Sequence, residues 1–337
     1  MRLLLSAIEP SADRLGAELL DALAARGVQA QVRGLGGPLC RAAGLDAVAP
    51  LAPPAMGLVE VVRHLGAIRR QRAALAEVAS AWRPDVLVCV DAPDFHLPVA
   101  AAARAAGVRT VGFVSPQLWA WRPGRRFAVA GAYDQLWCLF PFEPPLYAGT
   151  GLDARFVGHP AVDRTGVRTP EVGTVAIFPG SRGAELDRLL GPVLEATRAW
   201  PRVLVAQAAG VDLRARLPAD PRLEVVSAAE AMARAERALS KSGTVTLELA
   251  LHGVPSVVAH RVHPVTYALG RLLVRGIRYL ALPNLLADRE VFREFVQHFT
   301  PAELAAALHV AEAPPAAELA ARVGPPGVVA RAAAYLS

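Results

Sequence analysis

Short apolar runs alternate with longer segments of helical period along nearly the whole chain. Arg2–Ser6 (RLLLS) predicts a strand, and Arg14–Ala25 a helix closed by Gly27. Asp85–Val90 (DVLVCV) is apolar without alternation and bounded by Pro84 and Asp91, the pattern of a central parallel strand buried on both faces. A helix over Pro98–Ala106, stopped at Gly107, and strands at Arg109–Val114 and Gln135–Leu139 follow. Arg164–Gly173, with Pro170 and two glycines, is the predicted linker. The rhythm then restarts. Thr174–Phe178, Arg202–Ala206, Leu223–Val226, Arg237–Ser240 and Ser256–Val258 predict strands; Ala184–Arg198 and Val245–His252 predict helices. Two βα arrays in succession predict an α/β chain of two Rossmann-like parallel-sheet domains facing a cleft, with ligands at the carboxyl ends of the strands. The expected boundaries are 1–165, 166–300 and a helical tail over 301–337.

The length, 337 residues, agrees with two domains at about 150 residues each. Composition adds one tension: 53% hydrophobic against 20% charged residues gives a mean hydropathy of +0.32. No stretch approaches the ~20 uninterrupted apolar residues of a spanning helix, so the apolar content is assigned to buried strands and small-residue helices. It also excludes a disordered chain. The net charge is +6, and Lys241 is the only lysine among 36 basic residues. Arginine forks onto phosphates and carboxylates and lies against lipid head groups, so anionic partners are expected. Nucleic acid is set aside, because no binding module appears and the aromatics are too few for a stacking platform. Cys40, Cys89 and Cys138 show no metal or redox spacing and are expected as inert core thiols in a reducing compartment. The apolar run at the N-terminus is too short for a signal peptide, and a cytoplasmic protein is expected.

Candidate chemistry sits at the ends of predicted strands. Ile177-Phe178-Pro179-Gly180-Ser181-Arg182-Gly183-Ala184-Glu185 is a strand, a small-residue loop and a helix start. Free helix N–H groups and Arg182 suit an anion there, although an ordinary βα turn has the same outline. The loop lacks the GK[ST] of a P-loop, so nucleotide hydrolysis is not implied. Ser242-Gly243-Thr244 repeats the arrangement, with Glu248 one turn into its helix as an acceptor for ribose hydroxyls or simply a first-turn acid. Two such loops in one half favour a nucleotide site. In the first half, Asp91, Asp94 and His96 follow the central strand; Asp91 or His96 can take a proton from an acceptor hydroxyl, or an Asp can cap the next helix. Glu9, Ser11 and Asp13 follow the first strand, as substrate-orienting groups or as helix caps. Two segments mix apolar residues with arginine: Met56–Val62, including Val59, leading to Arg63, Arg69, Arg70 and Arg72; and Trp119, Trp121, Arg122, Arg125 and Arg126. They suit a membrane interface or acyl chain, or core packing beneath a solvated basic face.

These residues, in this order, resemble the lipid-A-disaccharide synthases, UDP-sugar glycosyltransferases of the GT-B fold. The resemblance runs through Gly36-Gly37-Pro38, Met56-Gly57-Leu58-Val59-Glu60-Val61, Asp91-Ala92-Pro93-Asp94-Phe95, Val114-Ser115-Pro116 and Trp119-Ala120-Trp121-Arg122. It continues through Phe140-Pro141-Phe142-Glu143, Val157-Gly158-His159-Pro160, Pro179–Glu185, Ser242-Gly243-Thr244, Leu282-Pro283-Asn284-Leu285-Leu286 and Arg289-Glu290. It implies inverting transfer of 2,3-diacylglucosamine from its UDP ester to the 6-hydroxyl of 2,3-diacylglucosamine 1-phosphate, giving a β-1,6 disaccharide and UDP.

By the same resemblance, Asp91 and Glu9 serve catalysis, with Asp91 as general base or acceptor-orienting group. Arg182 neutralises the leaving diphosphate. Gly180, Ser181, Ser242, Gly243 and Thr244 cradle phosphate, Glu248 holds ribose and Asn284 lies near the nucleotide. Ser11, Met56, Val59, Trp119, Trp121 and Arg122 fall on the acceptor and membrane side. No cofactor or metal is expected, and the enzyme is expected on the cytoplasmic side of the inner membrane, as a peripheral protein. The family often dimerises, and the Ala-rich end from Pro301 is compatible with a tail packing on a domain or on a partner chain.

The chain departs from the family in places. Ile8 and Ala12 replace glycines of the first loop, and are expected to be strained there and to narrow the approach. His96 stands where Asn is usual, Asp288 where Gly is usual, and Arg293 where Pro is common. The acceptor side is therefore the more altered. A GT-B relative with another acceptor, a UDP-sugar epimerase and a non-catalytic sugar-nucleotide binder are the alternatives.

Overall fold

The computed structural model describes residues 1–51, 58–119, 122–180, 183–207, 211–264, 266–268 and 278–336; the side chains of 58–64, 184 and 185 are not described. The chain divides into two compact units, Met1–Pro160 with Val323–Ser337, and Ala161–Arg322.

The first unit runs β1 (Arg2–Ser6), α1 (Pro10–Ala25), β2 (Gln31–Leu35), α2 (Pro38–Ala42), β3 (Asp46–Ala47), α3 (Leu58–Ala81), β4 (Val86–Val90), α4 (Pro93–Ala105), β5 (Arg109–Phe113), α5 (Arg126–Ala132), β6 (Gln135–Cys138) and β7 (Asp153–Phe156). Its strands form a parallel sheet in the order β3-β2-β1-β4-β5-β6-β7. The order reverses between β1 and β4, where Ser6 lies opposite Cys89. β4 is buried at every position, as its unbroken apolar run requires. Leu87 and Cys89 on one face pack with Leu75 of α3, Phe95, Val99 and Ala103 of α4 and Val129 of α5.

The second unit runs β8 (Thr174–Phe178), α6 (Gly183–Ala196), β9 (Arg202–Ala206), β10 (Leu223–Val226), α7 (Ala228–Arg234), β11 (Arg237–Lys241), α8 (Thr244–Leu251), β12 (Ser256–His260), α9 (Leu282–Ala287), β13 (Arg293–Val296), α10 (Pro301–His309) and α11 (Ala316–Val323). Its sheet is also parallel, in the order β10-β9-β8-β11-β12-β13, and reverses between β8 and β11. Ile177, Leu239 and Val257 pack with Leu186, Leu189 and Val193 of α6 and Leu304 and Leu308 of α10.

Several elements differ from the sequence reading. Helix α1 starts four residues early, because Pro10 occupies the first turn, where a missing N–H costs nothing. Ile8 and Ala12 are not among the non-glycine residues with positive φ, so the expected strain at the first loop is absent. Asp13 does not cap its own helix: buried in α1, its carboxylate takes the N–H groups of Leu39 and Cys40, both at 3.0 Å, at the start of α2. A Cβ on Gly37 would lie 2.4 Å from that carboxylate, so glycine is required by close approach.

Helix α4 begins at Pro93 and holds Pro98 inside it. Proline there cannot donate to the Asp94 carbonyl. Arg72 of α3 donates instead, to Asp94 O at 2.5 Å and Phe95 O at 3.2 Å, so this arginine is structural rather than part of a solvated basic face.

The expected tail over 301–337 is divided. α10 packs on α6 in the second unit, whereas α12 (Val328–Ala334) packs its small buried face on α1. Arg331 fastens α12 to the first unit through the Val157 carbonyl. The expected linker is docked on the second unit: Arg168 donates to Gly253 O at 2.6 Å and Ala235 O at 2.8 Å. All three cysteines are free and buried, and burial raises each thiol.

Candidate active site

In each sheet the strand order reverses once, and the loops leaving the two strands at that point flank a crevice, the usual ligand position in open α/β sheets. The predicted chemistry falls on those loops. In the first unit they are Ala7–Glu9 after β1 and Asp91–Ala92 after β4. Glu9 is the half-buried N-cap residue of α1, and its side chain makes no cap hydrogen bond; Ser11 is exposed on the first turn.

Asp91 and Ala92 both take left-handed conformations, with φ of 55° and 45°. Val114, a β-branched residue just beyond β5, has φ of 83°. Strain of this kind persists only where the surroundings over-determine it, and residues held so cluster at functional sites. Neither Asp caps α4. The Asp91 Oδ1 accepts the Ala92 N–H at 2.8 Å, and Asp94 has an exposed side chain ion-paired with Arg125.

His96 does not serve as a base. It is 0% exposed, with Nδ1 2.7 Å from the Asp91 carbonyl and Nε2 2.7 Å from the Ser6 hydroxyl. Burial first, and the nearby Arg72 charge, push it down to about 4 from 6.5. The unfolded chain therefore takes up a proton near pH 6.5 that the folded chain refuses until about pH 4. The stability tied to neutral His96 is whole above pH 6.5 and is lost as pH falls to about 4, about 3 kcal/mol in all. Glu143, which burial pushes up to about 8, slopes the other way between pH 4.5 and 8. Chemical denaturation of wild type and His96→Asn at each pH cancels that term. Their difference is expected to shrink by about 3 kcal/mol from pH 7 to pH 4; a constant difference would contradict a neutral buried imidazole.

In the second unit, Gly180 follows β8 with φ of 98°, open to glycine at little cost, and α6 starts at Gly183. Ser181 and Arg182 lie outside the described residues. On the neighbouring strand, α8 starts at Thr244 behind Gly243, with no side-chain cap on its first N–H groups. Gly243 and Thr244 are exposed, and a Cβ on Gly243 would meet nothing within 4 Å. Ser242 Oγ donates to the Leu280 carbonyl at 3.2 Å. Two helix N-termini thus start beside one another at the β8–β11 reversal, an arrangement suited to an anion with two charged groups. Glu248 is ion-paired at 3.3 Å with Arg164, which lies in the short turn Pro160–Arg164.

Asn284 corrects the sequence reading. It is fully buried and donates to Phe292 O at 2.6 Å and Glu294 Oε1 at 2.7 Å. Its Oδ1 accepts Val291 N–H at 2.9 Å and Phe292 N–H at 2.8 Å. No capacity remains for a ligand. Glu294 in turn accepts the N–H groups of Leu280 and Ala281, so Asn284 supports the segment that receives Ser242. Arg164 carried no sequence signal, since Glu248 lies 84 residues along the chain, and Glu294 carried none, since its partners are met through the loop before β13; Ser6 carried a faint one, as the polar end of an apolar strand.

Of the acceptor and membrane group, Met56 and Trp121 lie outside the described residues, and Val59 is in α3 with its side chain not described. Trp119 is half-buried and edge-on to Phe142 at 5.9 Å, with its indole N–H buried and without a partner among the described residues. Arg69, Arg70, Arg122 and Arg126 are exposed, as are Leu65 and Phe127; Arg126 lies 4.9 Å over the Phe127 ring. No helix among the described residues is long and apolar enough to cross a membrane.

Comparison with known structures agrees with the fold. CalG4, the calicheamicin glycosyltransferase, superposes with a TM-score of 0.62 at 17% identity, over 99% of this chain and 97% of that one. The UDP-GlcNAc 2-epimerase of Methanocaldococcus jannaschii, in complex with UDP-GlcNAc and UDP, gives 0.60 at 12% identity, over 100% and 99%. At such identities the likeness carries the fold alone, that of GT-B glycosyltransferases. Sequence relatives carry more. The lipid-A-disaccharide synthase of Xylella fastidiosa (strain M12) is 39% identical over 339 residues, covering 91% of this chain and 88% of its own. That of Xanthomonas campestris pv. campestris (strain 8004) is 39% identical over 340 residues, covering 91% and 77%. The family model described as Lipid-A-disaccharide synthetase matches residues 3–314, both crevice loops of each sheet included, and the chain accordingly belongs to the lipid-A-disaccharide synthase family.

Proposed function

We infer that this glycosyltransferase joins a 2,3-diacylglucosamine, carried as its UDP ester, to the 6-hydroxyl of 2,3-diacylglucosamine 1-phosphate, with inversion. The observation that carries this is the family match over residues 3–314. The acceptor O6 attacks C1 of the donor sugar as the C1–O bond to the diphosphate breaks, and UDP leaves with the electron pair. Asp91 takes the O6 proton, and Glu9 and Ser11 orient the acceptor. Negative charge develops on the diphosphate, so the N–H groups at the starts of α6 and α8, the hydroxyl of Thr244, and Ser181 and Arg182 stabilise the step where charge appears, while the Ser242 hydroxyl, spent on the Leu280 carbonyl, holds the loop. Glu248, held by Arg164, accepts the ribose hydroxyls. Asn284 acts at one remove, through Glu294 and Leu280.

Both substrates are lipids, which places the enzyme on a membrane surface. The exposed arginines 69, 70, 122 and 126, with Leu65 and Phe127, offer cations for anionic head groups and apolar side chains for the acyl boundary. The decisive experiment supplies purified protein with both substrates in mixed micelles. Equal amounts of UDP and β-1,6 disaccharide are expected. UDP binding without disaccharide in any detergent would remove the acceptor assignment and leave only the donor class.

A further inference from the structure

Residues 91 and 92 need an explanation: the Asp91 carboxylate, bonded to the Ala92 N–H, favours the left-handed region at 91, but nothing in alanine's own chemistry keeps residue 92 there. The Asp91 N–H donates to the Phe113 carbonyl at 2.8 Å, which fixes one end of the turn to β5. At the other end the Ala92 carbonyl accepts the N–H groups of Phe95 and His96, at 2.9 and 3.0 Å, and the Asp91 carbonyl between the two ends is held by the His96 ring. Its Nδ1 meets the Asp91 carbonyl, which can only accept, so Nδ1 carries the hydrogen. Nε2 is then the lone-pair nitrogen and accepts from the Ser6 hydroxyl, the last residue of β1. One buried ring thus ties the ends of the two strands that bound the first crevice, β1 and β4. The edge-on Phe95 ring, 5.0 Å away, closes over it.

We propose that His96 is a positioning residue: through its Nδ1–H bond to the Asp91 carbonyl, which sets the tautomer, it holds the left-handed turn at 91–92 and so aims the Asp91 carboxylate, while the Ser6 hydroxyl donates to Nε2 and anchors the ring to β1. The inference rests on Asp91 being the group that takes the acceptor proton. It assigns His96 no contact with substrate, since both ring nitrogens are spent within the protein and the side chain is fully buried.

Two amide replacements separate the two ring bonds. The terminal amide of asparagine falls near the place of Nδ1, and that of glutamine near the place of Nε2. His96→Asn keeps an N–H for the Asp91 carbonyl, whereas His96→Gln keeps contact with Ser6 alone. Expected kcat for His96→Asn is within about 3-fold of wild type, while His96→Gln loses about 10- to 100-fold in kcat with the donor KM unchanged, as misaimed catalytic groups do. Equal kcat for the two variants, or a loss in His96→Gln that lies wholly in KM, overturns the proposal. Should wild type itself form no disaccharide, the role of Asp91 in transfer fails, and amide hydrogen exchange then decides the clamp. Slower exchange at Asp91 and Ala92 in His96→Asn than in His96→Gln supports it, and equal rates overturn it.

Discussion

Asp91→Asn is expected to lower kcat by about 100- to 10,000-fold, the range of a lost general base, while UDP binding stays within a few-fold of wild type. The choice of asparagine follows from the backbone. Residue 91 has φ of 55°, and asparagine tolerates that region as aspartate does. Its amide oxygen can still accept the Ala92 N–H that Oδ1 accepts now at 2.8 Å. The fold of the turn is kept, and only the basicity is removed. Alanine would remove the local acceptor as well and confuse chemistry with strain. The measurement is single-turnover disaccharide formation alongside UDP titration by calorimetry. Near-normal turnover in Asp91→Asn would move the base to another group, with Glu9 across the same crevice next in line.

Asn284→Ala is expected to destabilise the second unit by about 3 to 5 kcal/mol, because it leaves the buried N–H groups of Val291 and Phe292 and part of the Glu294 carboxylate unsatisfied. The folded fraction should still bind UDP within a few-fold, since the side chain has no spare donor or acceptor for a ligand. Thermal unfolding and UDP titration of the same preparation distinguish the roles. A variant with unchanged melting temperature and lost UDP affinity would restore Asn284 as a direct ligand contact.

Legibility varied with how local the determinants are. Thr174–Phe178 and Arg202–Ala206 stand where the apolar pattern puts them, because each strand's burial shows in its own residues. The edge strands Asp46–Ala47, Asp153–Phe156 and Arg293–Val296 were missed, since edge positions carry too few buried side chains to leave a run. The start of α4 was misplaced because Pro98 looks like a first-turn proline until Arg72, 22 residues before Asp94, is seen to satisfy the Asp94 carbonyl. The loops that carry Asp91, Gly180 and Gly243 were legible as strand-to-helix junctions. Their adjacency was not, because strand order is a property of the sheet.

What the sequence determined by itself was the class of chemistry and the strand-to-helix junctions that are candidates to carry it. Alternating βα segments require parallel sheets, and glycine and hydroxyl residues at two strand ends require backbone that can approach an anion. What only the tertiary structure decided was which residues act and which support. Sequence spacing cannot tell a free polar group from a spent one: His96 reads as a candidate base and Asn284, by the resemblance, as a neighbour of the nucleotide, and both are consumed by partners in the fold. The physical reason is that a polar side chain's role depends on whether its hydrogen-bonding capacity is already met, and the partners that meet it, Glu294 and Phe292 for one, Ser6 and Asp91 for the other, are chosen by packing.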